Sequence, residues 1–446
     1  MTGRRGLAAT AAGMIVAFAA TPAFEQGGLV LYGPLQVIPG IGETARPASS
    51  IHSAGVFHTH LQILIPEREV AAPPRPGASV PRANSSGQTP ASLACVYNLV
   101  AQSNGCDPYL VSKVASGGNA TKPIVIVDAY NNPTVVNDLI AFSKYFGLPS
   151  PKLTVYYCNR TTCGPTVRTA PRNNAGWALE EALDVQAAHS LAPNAPIILV
   201  EANSNSFTDL FNAERYAASL AANGGVVSNS WGSNEFSSQA GYDSIFASAQ
   251  GVVFFASAGD APGVQYPSSS PYVVAVGGTT LVLNGSYQFQ YQATWVTNSS
   301  ESGGGGISAY ESVPSYQTNL SQLSGRGVPD ISADANPVSG LWVYCSPSTC
   351  GMRSTWVQVG GTSLASPLLA AMTNNANNGA ASSSTALLTQ IYSNLGTSKY
   401  YQVTNKDPEN STAYCYNGPE DAAVTNLTAG WNVCVGAGTP QGLGGL

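Results

Sequence analysis

Short apolar runs alternate with amphipathic stretches along the chain from about residue 89 onward. The apolar runs have the length and the β-branched content of buried strands, and they lie at 123–129, 196–202, 225–229 and 252–257. The spacing of apolar residues predicts helices at 138–146 and at about 176–190, 206–222 and 237–249. Because strands that alternate with helices form parallel sheets covered on both faces, the pattern predicts one large α/β domain over 89–446.

Residues 24–88 differ from this domain because they are rich in proline and follow neither a helical nor a strand period. We expect a pro-segment or linker of irregular structure there. Three of the four histidines, His52, His58 and His60, fall in this segment. Since His58 and His60 have no third ligand at metal spacing, we interpret them as loop residues and not as a metal site.

Residues 1–23 have the pattern of a secretory signal peptide. Arg4 and Arg5 precede an apolar run over 6–20, and small residues follow it. That run is too short for a membrane helix, and no later stretch is apolar for long enough to span a bilayer. We therefore expect a secreted protein with no membrane association once the signal is removed.

Composition narrows the function classes. Charged residues make up 9% of the chain, against roughly 25% in an ordinary soluble domain, and the formal net charge is −6. No basic patch could neutralise phosphates, so a nucleic-acid partner is not expected. A chain with few carboxylates has few groups whose protonation would destabilise it, which suits an acidic environment.

The eight cysteines agree with an oxidising compartment. They fall as close neighbours, which makes local disulfides on surface loops the simplest prediction: Cys95 with Cys106, Cys158 with Cys163, Cys345 with Cys350, and Cys415 with Cys434. The spacing alone does not determine the connectivity. None of the pairs has the spacing of zinc ligands, so we predict no metal site at the cysteines.

The strongest candidate for chemistry is the run 360–367 (GGTSLASP), which contains Ser363. A predicted strand at 355–359 precedes it, and a helical pattern over 364–372 follows it. A serine at a sharp strand-to-helix turn is exposed to the free N–H groups of the helix N-terminus, which suits a nucleophile whose intermediate is an oxyanion. An ordinary helix N-cap is the alternative interpretation.

A nucleophilic serine needs a base within hydrogen-bond reach. His189 is the only histidine in the predicted domain, and its position near a helix end is typical of a solvated C-terminal cap. Glu180 and Asp184 are four residues apart and share one helix face among apolar neighbours, whereas Glu181 points about 100° away. A half-buried carboxyl pair shares protons, and it could act as a base in acid, where histidine is charged.

Asp260 follows the predicted strand at 252–257. In a parallel sheet, sites assemble at the carboxyl ends of the strands. A protonated aspartate there could donate a hydrogen bond to an oxyanion. An Asx turn before Pro262 and Gly263 is the alternative.

Residues from about 89 to 446 resemble the sedolisins, the serine-carboxyl peptidases, which are acid-acting relatives of subtilisin. The motifs occur in order: Thr89-Pro90-Ala91-Ser92-Leu93, the strand ending in Asp128, the helix with Glu180 and Asp184, Ala192-Pro193, Ser228-Asn229-Ser230-Trp231-Gly232, Ser257-Ala258-Gly259-Asp260, the glycines 303–306, Val328-Pro329-Asp330 and the run 360–367. The resemblance implies a subtilisin-like α/β fold with a predominantly parallel sheet and helices on both faces.

The resemblance also implies the roles of individual residues in a serine-type peptidase. Ser363 would be the nucleophile and Glu180 the general base and acid, with Asp184 orienting Glu180 and Asp260 donating to the oxyanion. The backbone of Ser230, Trp231 and Gly232 would pair with an extended peptide substrate. We expect an acid-active endopeptidase that acts on polypeptides as a monomer and needs no cofactor.

The family usually holds a calcium ion near the C-terminus through two aspartates, and this chain departs from that pattern. Gln402 and Asn432 stand at those positions. Because calcium affinity follows the charge of the ligands, we predict that the site is lost and that no metal is bound. A Cys415–Cys434 disulfide would tie down the same loop instead.

Two other functions remain open at this point. A subtilisin-type Ser-His-Asp protease would combine Ser363 and Asp128 with His189. A catalytically silent secreted binding protein could keep the same fold without hydrolysing peptides.

Overall fold

The computed structural model describes residues 24–26, 29–67, 72–76, 87–116, 122–320, 323–376, 382–403 and 430–446. The helices are α1 Pro90–Val96, α2 Val135–Phe146, α3 Ala175–Leu191, α4 Phe207–Ala221, α5 Ser244–Ala247, α6 Pro347–Cys350, α7 Thr362–Ala376 and α8 Ser384–Ser393. Short 3-10 helices cover Ala48–Ser50, Asn104–Cys106, Gln239–Tyr242 and Ser315–Gln317.

The strands are numbered in chain order. The first twelve are β1 Phe24–Gln26, β2 Leu29–Ile38, β3 Gly42–Pro47, β4 His58–Thr59, β5 Gln62–Pro66, β6 Ile124–Ala129, β7 Lys152–Tyr157, β8 Pro196–Ala202, β9 Gly225–Asn229, β10 Trp231–Asn234, β11 Val252–Ser257 and β12 Gln265–Tyr266. The others are β13 Val274–Leu283, β14 Phe289–Thr294, β15 Val296–Asn298, β16 Glu301–Ser302, β17 Gly306–Ile307, β18 Gly327–Val328, β19 Ile331–Asp334, β20 Leu341–Tyr344, β21 Trp356–Gly360, β22 Tyr400–Tyr401 and β23 Thr439–Pro440.

An eight-stranded sheet forms the centre of the protein, in the order β14-β13-β11-β9-β6-β8-β7, with β19 also paired to β13. Every pairing in it is parallel except that of β13 with β14. Alternate side chains of β6 enter opposite cores: Ile124 and Ile126 pack with α2, α3 and α7, and Val125 and Val127 pack with α4. The predicted parallel sheet with helices on both faces is therefore confirmed.

Helix α3 is buried on every side, which places polar residues in the interior. Every residue from Gly176 to Leu191 is buried, because α1, α2, α7 and strand β20 cover the faces that the sheet leaves open. The expectation of a solvated His189 is wrong for this reason. Its imidazole is buried and makes a 3.1 Å hydrogen bond between Nε2 and Pro149 O. Burial lowers the pKa of His189 to about 4.

The irregular structure expected for 24–88 is wrong between residues 29 and 66. Strands β2, β3 and β5 extend the β20–β21 hairpin into an antiparallel sheet with the order β1-β2-β3-β5-β21-β20. Strand β5 pairs with β21, so that Ile63 lies opposite Val359, and β4 pairs with β10. The partners lie far along the chain, and a local period could not reveal a pairing that tertiary contact creates. Whether this segment acts as a pro-segment stays a prediction.

One local expectation differs from the structure. The helix predicted at 237–249 is divided into the 3-10 helix Gln239–Tyr242 and the four-residue α5. Gly241 lies in this stretch and lowers its helix propensity, and the Gln239 side chain accepts a hydrogen bond from Phe236 N at 3.0 Å.

Three of the four cysteine pairs are confirmed as disulfides: Cys95–Cys106, Cys158–Cys163 and Cys345–Cys350. Five of these six cysteines are buried, and the loops that the Cys95–Cys106 and Cys158–Cys163 bridges close are exposed at 101–105 and 159–162, as expected for staples on surface loops. Cys415 and the predicted signal peptide 1–23 lie outside the described residues. Among the helices that the structure describes, none has the length and apolar character needed to cross a bilayer.

Candidate active site

Ser363 lies where β21 turns into α7. The turn passes through Gly361, whose φ of +93° falls in the left-handed region that favours glycine. A Cβ at Gly361 would lie 1.9 Å from His60 O, so a larger residue does not fit. Ser363 is the second residue of α7, and it is fully buried. The strand-to-helix turn predicted from the sequence is confirmed.

The contacts of Ser363 connect it to two backbone segments. Its hydroxyl lies 3.2 Å from Ser230 O, to which it donates, and it accepts a hydrogen bond from His60 N at 3.1 Å. Its backbone N–H donates to His60 O at 3.1 Å. A peptide unit of the protein's own chain is thus seated against the serine.

Glu180 and Asp184 lie on one face of α3, as the spacing predicted, and both are fully buried. Ser230 Oγ donates to Asp184 Oδ1 at 2.8 Å. The other Asp184 oxygen and both Glu180 oxygens have no donor in good geometry. Burial raises the pKa of both carboxyls well above the usual range. The charge of Asp184 raises the pKa of Glu180 further, and the nearby Ser363 and Thr59 hydroxyls oppose that rise.

Such a pair is stable in the interior only if it carries a proton. If both carboxylates were ionised, the Ser230 hydroxyl would be the one donor to the pair among the described residues in a medium of low dielectric, and the lack of other partners would cost several kcal/mol. One proton on the pair leaves a single negative charge and removes the repulsion between the two carboxylates. Glu180, beside the Ser363 hydroxyl, can then receive a proton.

Three more buried carboxyl side chains lie near the predicted pair. Asp128, at the end of β6, lies in register with Glu201 of β8, and neither Asp128 oxygen has a donor. Burial raises the pKa of Asp128 well above its usual range, and the charges of Asp184, Glu180 and Glu201 raise it further. Glu181 belongs with Asp128 and Glu201. Burial is the main cause that raises the pKa of Glu181, and the charges of Glu201 and Asp128 raise it further. The sequence analysis assigned neither Glu181 nor Glu201 a role.

Asp260 contacts the turn that carries Ser363. Its Oδ1 accepts hydrogen bonds from Thr362 N at 2.8 Å and from Thr362 Oγ1 at 2.9 Å. Its Oδ2 is buried without a donor. A Cβ placed on Gly361 would lie 2.7 Å from this oxygen and 1.9 Å from His60 O, so the two oxygens are near each other. Burial raises the pKa of Asp260 well above its usual range. A protonated Oδ2 would face a carbonyl oxygen that Ser363 N already contacts.

The predicted substrate-binding residues are at the same place. Strand β10 pairs antiparallel with β4, so that Trp231 lies opposite Thr59 and Gly232 lies opposite His58. The Trp231 indole fixes the strand by donating to Val127 O at 2.8 Å. Ser230 O accepts from His60 N at 3.3 Å. The edge expected to hold a peptide therefore holds a segment of this chain.

All seven predicted site residues thus come together, and His189 does not join them. His189 is nine residues beyond Glu180 on α3, or about 13 Å along the helix axis. The sequence analysis assigned no role to His60, which contacts the serine, or to Thr59, whose hydroxyl lies near Glu180. It also assigned none to Ser257 and Gln265, which hold the His60 imidazole. The concentration of histidines in 52–60 was the available signal, and it was interpreted as a loop feature.

The region of the expected calcium site contains neutral side chains among the described residues. Asn432 Oδ1 accepts the N–H groups of Cys434 and Val435 at 2.9 and 3.0 Å, so the amide already stabilises a turn. No group of three His, Cys, Asp or Glu side chains in the described ranges has the geometry to hold a metal. The described residues do not fit a calcium ion, and loss of the site stays a prediction.

Comparison with known proteins agrees with this geometry. The Subtilase family (Peptidase_S8) matches residues 166–402, more than half of the chain. Kumamolisin of Bacillus sp. strain MN-32 is 30% identical over 69% of this chain and 56% of its own length. Xanthomonalisin of Xanthomonas sp. strain T-22 is 28% identical over 75% of this chain and 44% of its own length.

A solved structure is also similar. Pseudomonas sedolisin, a serine-carboxyl proteinase complexed with two molecules of pseudo-iodotyrostatin, superposes with a TM-score of 0.62 at 26% identity. The match covers 80% of this chain and 96% of that one. The fold and the serine at its strand-to-helix turn define a protein of subtilisin-like architecture. The chain belongs to the subtilase family, and within it to the sedolisins. It spans about half the length of the relatives kumamolisin and xanthomonalisin.

Proposed function

We propose that this chain is a serine-carboxyl peptidase that hydrolyses peptide bonds in acid through an acyl-enzyme on Ser363. The observation that carries the proposal is the position of Ser363 beside a buried carboxyl pair, with its N–H on a peptide carbonyl oxygen that also lies near the Asp260 carboxyl. Family membership supports the same class of reaction.

The first step uses the Glu180–Asp184 pair. The Ser363 hydroxyl rotates from Ser230 O towards Glu180 and transfers its proton as Oγ attacks the peptide carbonyl carbon. Asp184 holds the proton that the pair shares, and the Ser230 hydroxyl fixes Asp184 in place at 2.8 Å. Glu180 then returns the proton to the leaving nitrogen, which completes the acyl-enzyme.

The second requirement is a site for the negative oxygen of the intermediate. Ser363 N–H and a protonated Asp260 Oδ2 would donate to it from two sides. Water, activated by Glu180 in turn, attacks the acyl carbon and releases the acid product. Because Asp260 donates only when it is protonated, activity should fall as its proton is lost at higher pH.

The direction of the pKa shifts supports work in acid. Burial raises the pKa of Glu180, Asp184 and Asp260, so the proton that each role needs is retained over a wider range than in exposed carboxyls. The pair must nevertheless carry one negative charge to act as a base. We therefore expect a bell-shaped pH profile, limited by the pair on the acid side and by Asp260 on the other.

The remaining parts of the proposal follow from the cleft and the sequence. Chain extends through the cleft on both sides of His60, which favours cleavage within polypeptides. We propose a secreted monomeric endopeptidase, with no nucleic-acid or membrane partner and no metal. A Ser-His-Asp mechanism is disfavoured because His189 is bonded to Pro149 O and lies far along α3 from Glu180.

The test is digestion of a denatured protein between about pH 2 and 8, with the fragments sequenced. Ser363→Ala and Glu180→Gln should abolish cleavage. Glu214→Gln is the matched control, because Glu214 is an equally buried glutamate that packs on the opposite face of the sheet. This variant should cleave the denatured protein at the normal rate in acid. His189→Gln should also retain activity. Equal turnover by the wild type and Ser363→Ala would favour the binding protein, and a neutral or alkaline optimum would contradict the carboxyl mechanism.

A further inference from the structure

A cavity of about 630 Å³ lies beside the loops that follow β7 and β8. Arg160, in the loop after β7, and Arg172, shortly before α3, line it together with residues 203–209 between β8 and the first turn of α4. All of these lining residues fall between 160 and 209, and none of them is a predicted site residue or part of the segment 24–88. The cavity is therefore separate from the active site.

The charged groups of the lining are two arginines and one carboxyl, Asp209. In the described ranges, neither Arg160 nor Arg172 forms an ion pair. Asp209 is buried, and its Oδ2 already accepts hydrogen bonds from Asn203 Nδ2 at 3.0 Å and from Ser204 Oγ at 2.5 Å. The two guanidinium groups exceed the single carboxylate, so an anion that enters the cavity meets net positive charge.

The surrounding sequence has the same sign of charge. No aspartate or glutamate occurs between Asp138 and Glu180, although the whole chain has a formal net charge of −6. Five cations occur in that stretch: Lys144, Lys152, Arg160, Arg168 and Arg172. A locally positive surface attracts anions, and the planar fork of arginine matches the two oxygens of a carboxylate.

Both arginines are anchored by contacts outside the cavity. Arg172 Nη2 donates to Tyr130 Oη at 3.3 Å, and Arg172 Cζ lies 5.0 Å from the centre of that ring. Arg160 belongs to the disulfide-closed loop 158–163, and its carbonyl oxygen accepts from Asn212 Nδ2 of α4 at 3.0 Å. Groups that are positioned before a ligand arrives lose less conformational freedom when they bind it.

The cavity lies where a substrate would leave the cleft on the side before the cut bond. Val56 pairs antiparallel with Ser206, a lining residue. Phe57 N donates to Asn205 O at 2.9 Å, and Asn205 Nδ2 donates to Phe57 O at 2.7 Å. In an antiparallel pairing, residues before Val56 run beside residues after Ser206, where Thr208 also lines the cavity.

Residues 53–55 of the chain itself do not line this cavity. The chain turns at Gly55, whose φ is +78°, and Ser53 and Val56 line a different cavity. A substrate without that turn would continue towards the arginines. Because His60 O accepts from Ser363 N, a substrate residue in the place of Val56 would be the fifth before the cut bond.

We infer that this cavity is an accessory binding site for an acidic stretch of a polypeptide substrate, in which Arg160 and Arg172 bind carboxylate side chains at about the sixth to the eighth residue before the cut bond. The inference rests on the proposed function and adds a substrate preference to it. Neither arginine touches the reacting atoms, so both act on substrate binding and mainly change KM.

The test compares a pair of peptides built on a sequence that is cut in the digestion of a denatured protein. One peptide carries glutamates at the sixth to the eighth residue before the cut, and the other carries glutamines there. We expect kcat/KM at about pH 5, where glutamate is largely ionised, to be about three- to tenfold higher for the glutamate peptide. This ratio should fall towards one when the ionic strength rises from about 0.02 M to about 0.5 M.

Variants of the arginines identify the site. Arg160→Gln and Arg172→Gln should each lower the ratio, and the double variant should cleave both peptides equally well. Arg160→Glu combined with Arg172→Glu should instead prefer a peptide with lysines at the same places. Arg215→Gln is the matched control and should keep the ratio, because Arg215 is exposed on α4 outside the lining and donates to Phe211 O at 3.3 Å.

The readout is a ratio of two substrates on one enzyme, so a smaller amount of folded protein does not imitate the effect. Equal cleavage of the two peptides by the wild type, or a ratio that survives in the double glutamine variant, would overturn the inference while the peptidase stands. The absence of a lysine preference in the double glutamate variant would also overturn it. If neither the peptides nor the denatured protein are cleaved, the proposed function fails, and this inference fails with it.

Discussion

Replacing Glu214 with glutamine should change how the stability of the protein depends on pH. Glu214 is fully buried on α4, its Oε1 accepts from Asn229 Nδ2 at 3.1 Å, and its Oε2 has no donor. Burial raises the pKa of Glu214 from 4.5 to about 8. Glutamine has the same shape and can keep the bond from Asn229, but it does not titrate.

The size of the effect follows from proton linkage. Between its unfolded pKa of 4.5 and pH 7, Glu214 holds a proton in the folded state that the unfolded chain releases. Each pH unit in that window costs about 1.4 kcal/mol of folding free energy. The contribution is complete below the unfolded pKa and falls as pH rises towards about 8, so by pH 7 the wild type loses about 3 kcal/mol at this residue. Glu214→Gln removes that loss.

The assay is urea unfolding at about pH 4 and pH 7, followed by tryptophan fluorescence. All chains carry Ser363→Ala, so that self-digestion does not interfere. When the pH rises from about 4 to 7, the unfolding free energy of the parent chain should fall by about 3 kcal/mol more than that of Glu214→Gln. Buried His58 and His189, whose pKa burial lowers to about 4, have the opposite pH dependence but are present in both chains and cancel.

Glu67→Gln, at an exposed carboxyl, is the control and should leave the pH dependence unchanged. An identical pH dependence in Glu214→Gln and the wild type would refute the reasoning, because it would mean that burial does not hold a proton on this carboxyl.

Three further predictions concern the site. Asp260→Ala should lower kcat about 100-fold or more, whereas Asp260→Asn, whose amide donates at any pH, should retain more activity and lose the fall at higher pH; pH–rate profiles test both. Ser230→Ala removes the donor to Asp184, which raises the pKa of that carboxyl, so the acid limb of kcat should move to higher pH; an unchanged limb would exclude Asp184 from the titration. Gly361→Ala places a Cβ 1.9 Å from His60 O at a φ of +93°, so it should lower stability by about 1–3 kcal/mol and slow the digestion of a denatured protein; an unchanged melting temperature and a normal digestion rate would contradict this.

The site was predictable where its chemistry lies in local patterns. The four-residue spacing of Glu180 and Asp184 places both carboxyls on one face of α3, whatever the helix packs against. The glycines before Ser363 and the apolar strand behind them predict the strand-to-helix turn. Asp260 follows a buried strand, and strand ends in a parallel sheet meet at one edge.

The residues that were missed depend on contacts between distant parts of the chain. His60 is separated from Ser363 by 303 residues and from Gln265 by 205, so nothing near it in the sequence indicates a pocket. Glu201 and Asp128 are neighbours only because β8 and β6 pair in register. His189 is interior because helices and a strand cover every face of α3, not because of the residues beside it.

The sequence by itself determined the parallel α/β architecture and the identity of the serine and its carboxyl partners, because buried strands, helix faces and tight turns are specified over a few residues. Only the tertiary structure decided the protonation of those carboxyls, since desolvation depends on everything packed around them. The fold also decided that residues 29–66 contain four strands, β2 to β5, and that His60, between β4 and β5, lies against Ser363. A strand acquires its pairing only when the edge it joins has been built elsewhere in the chain.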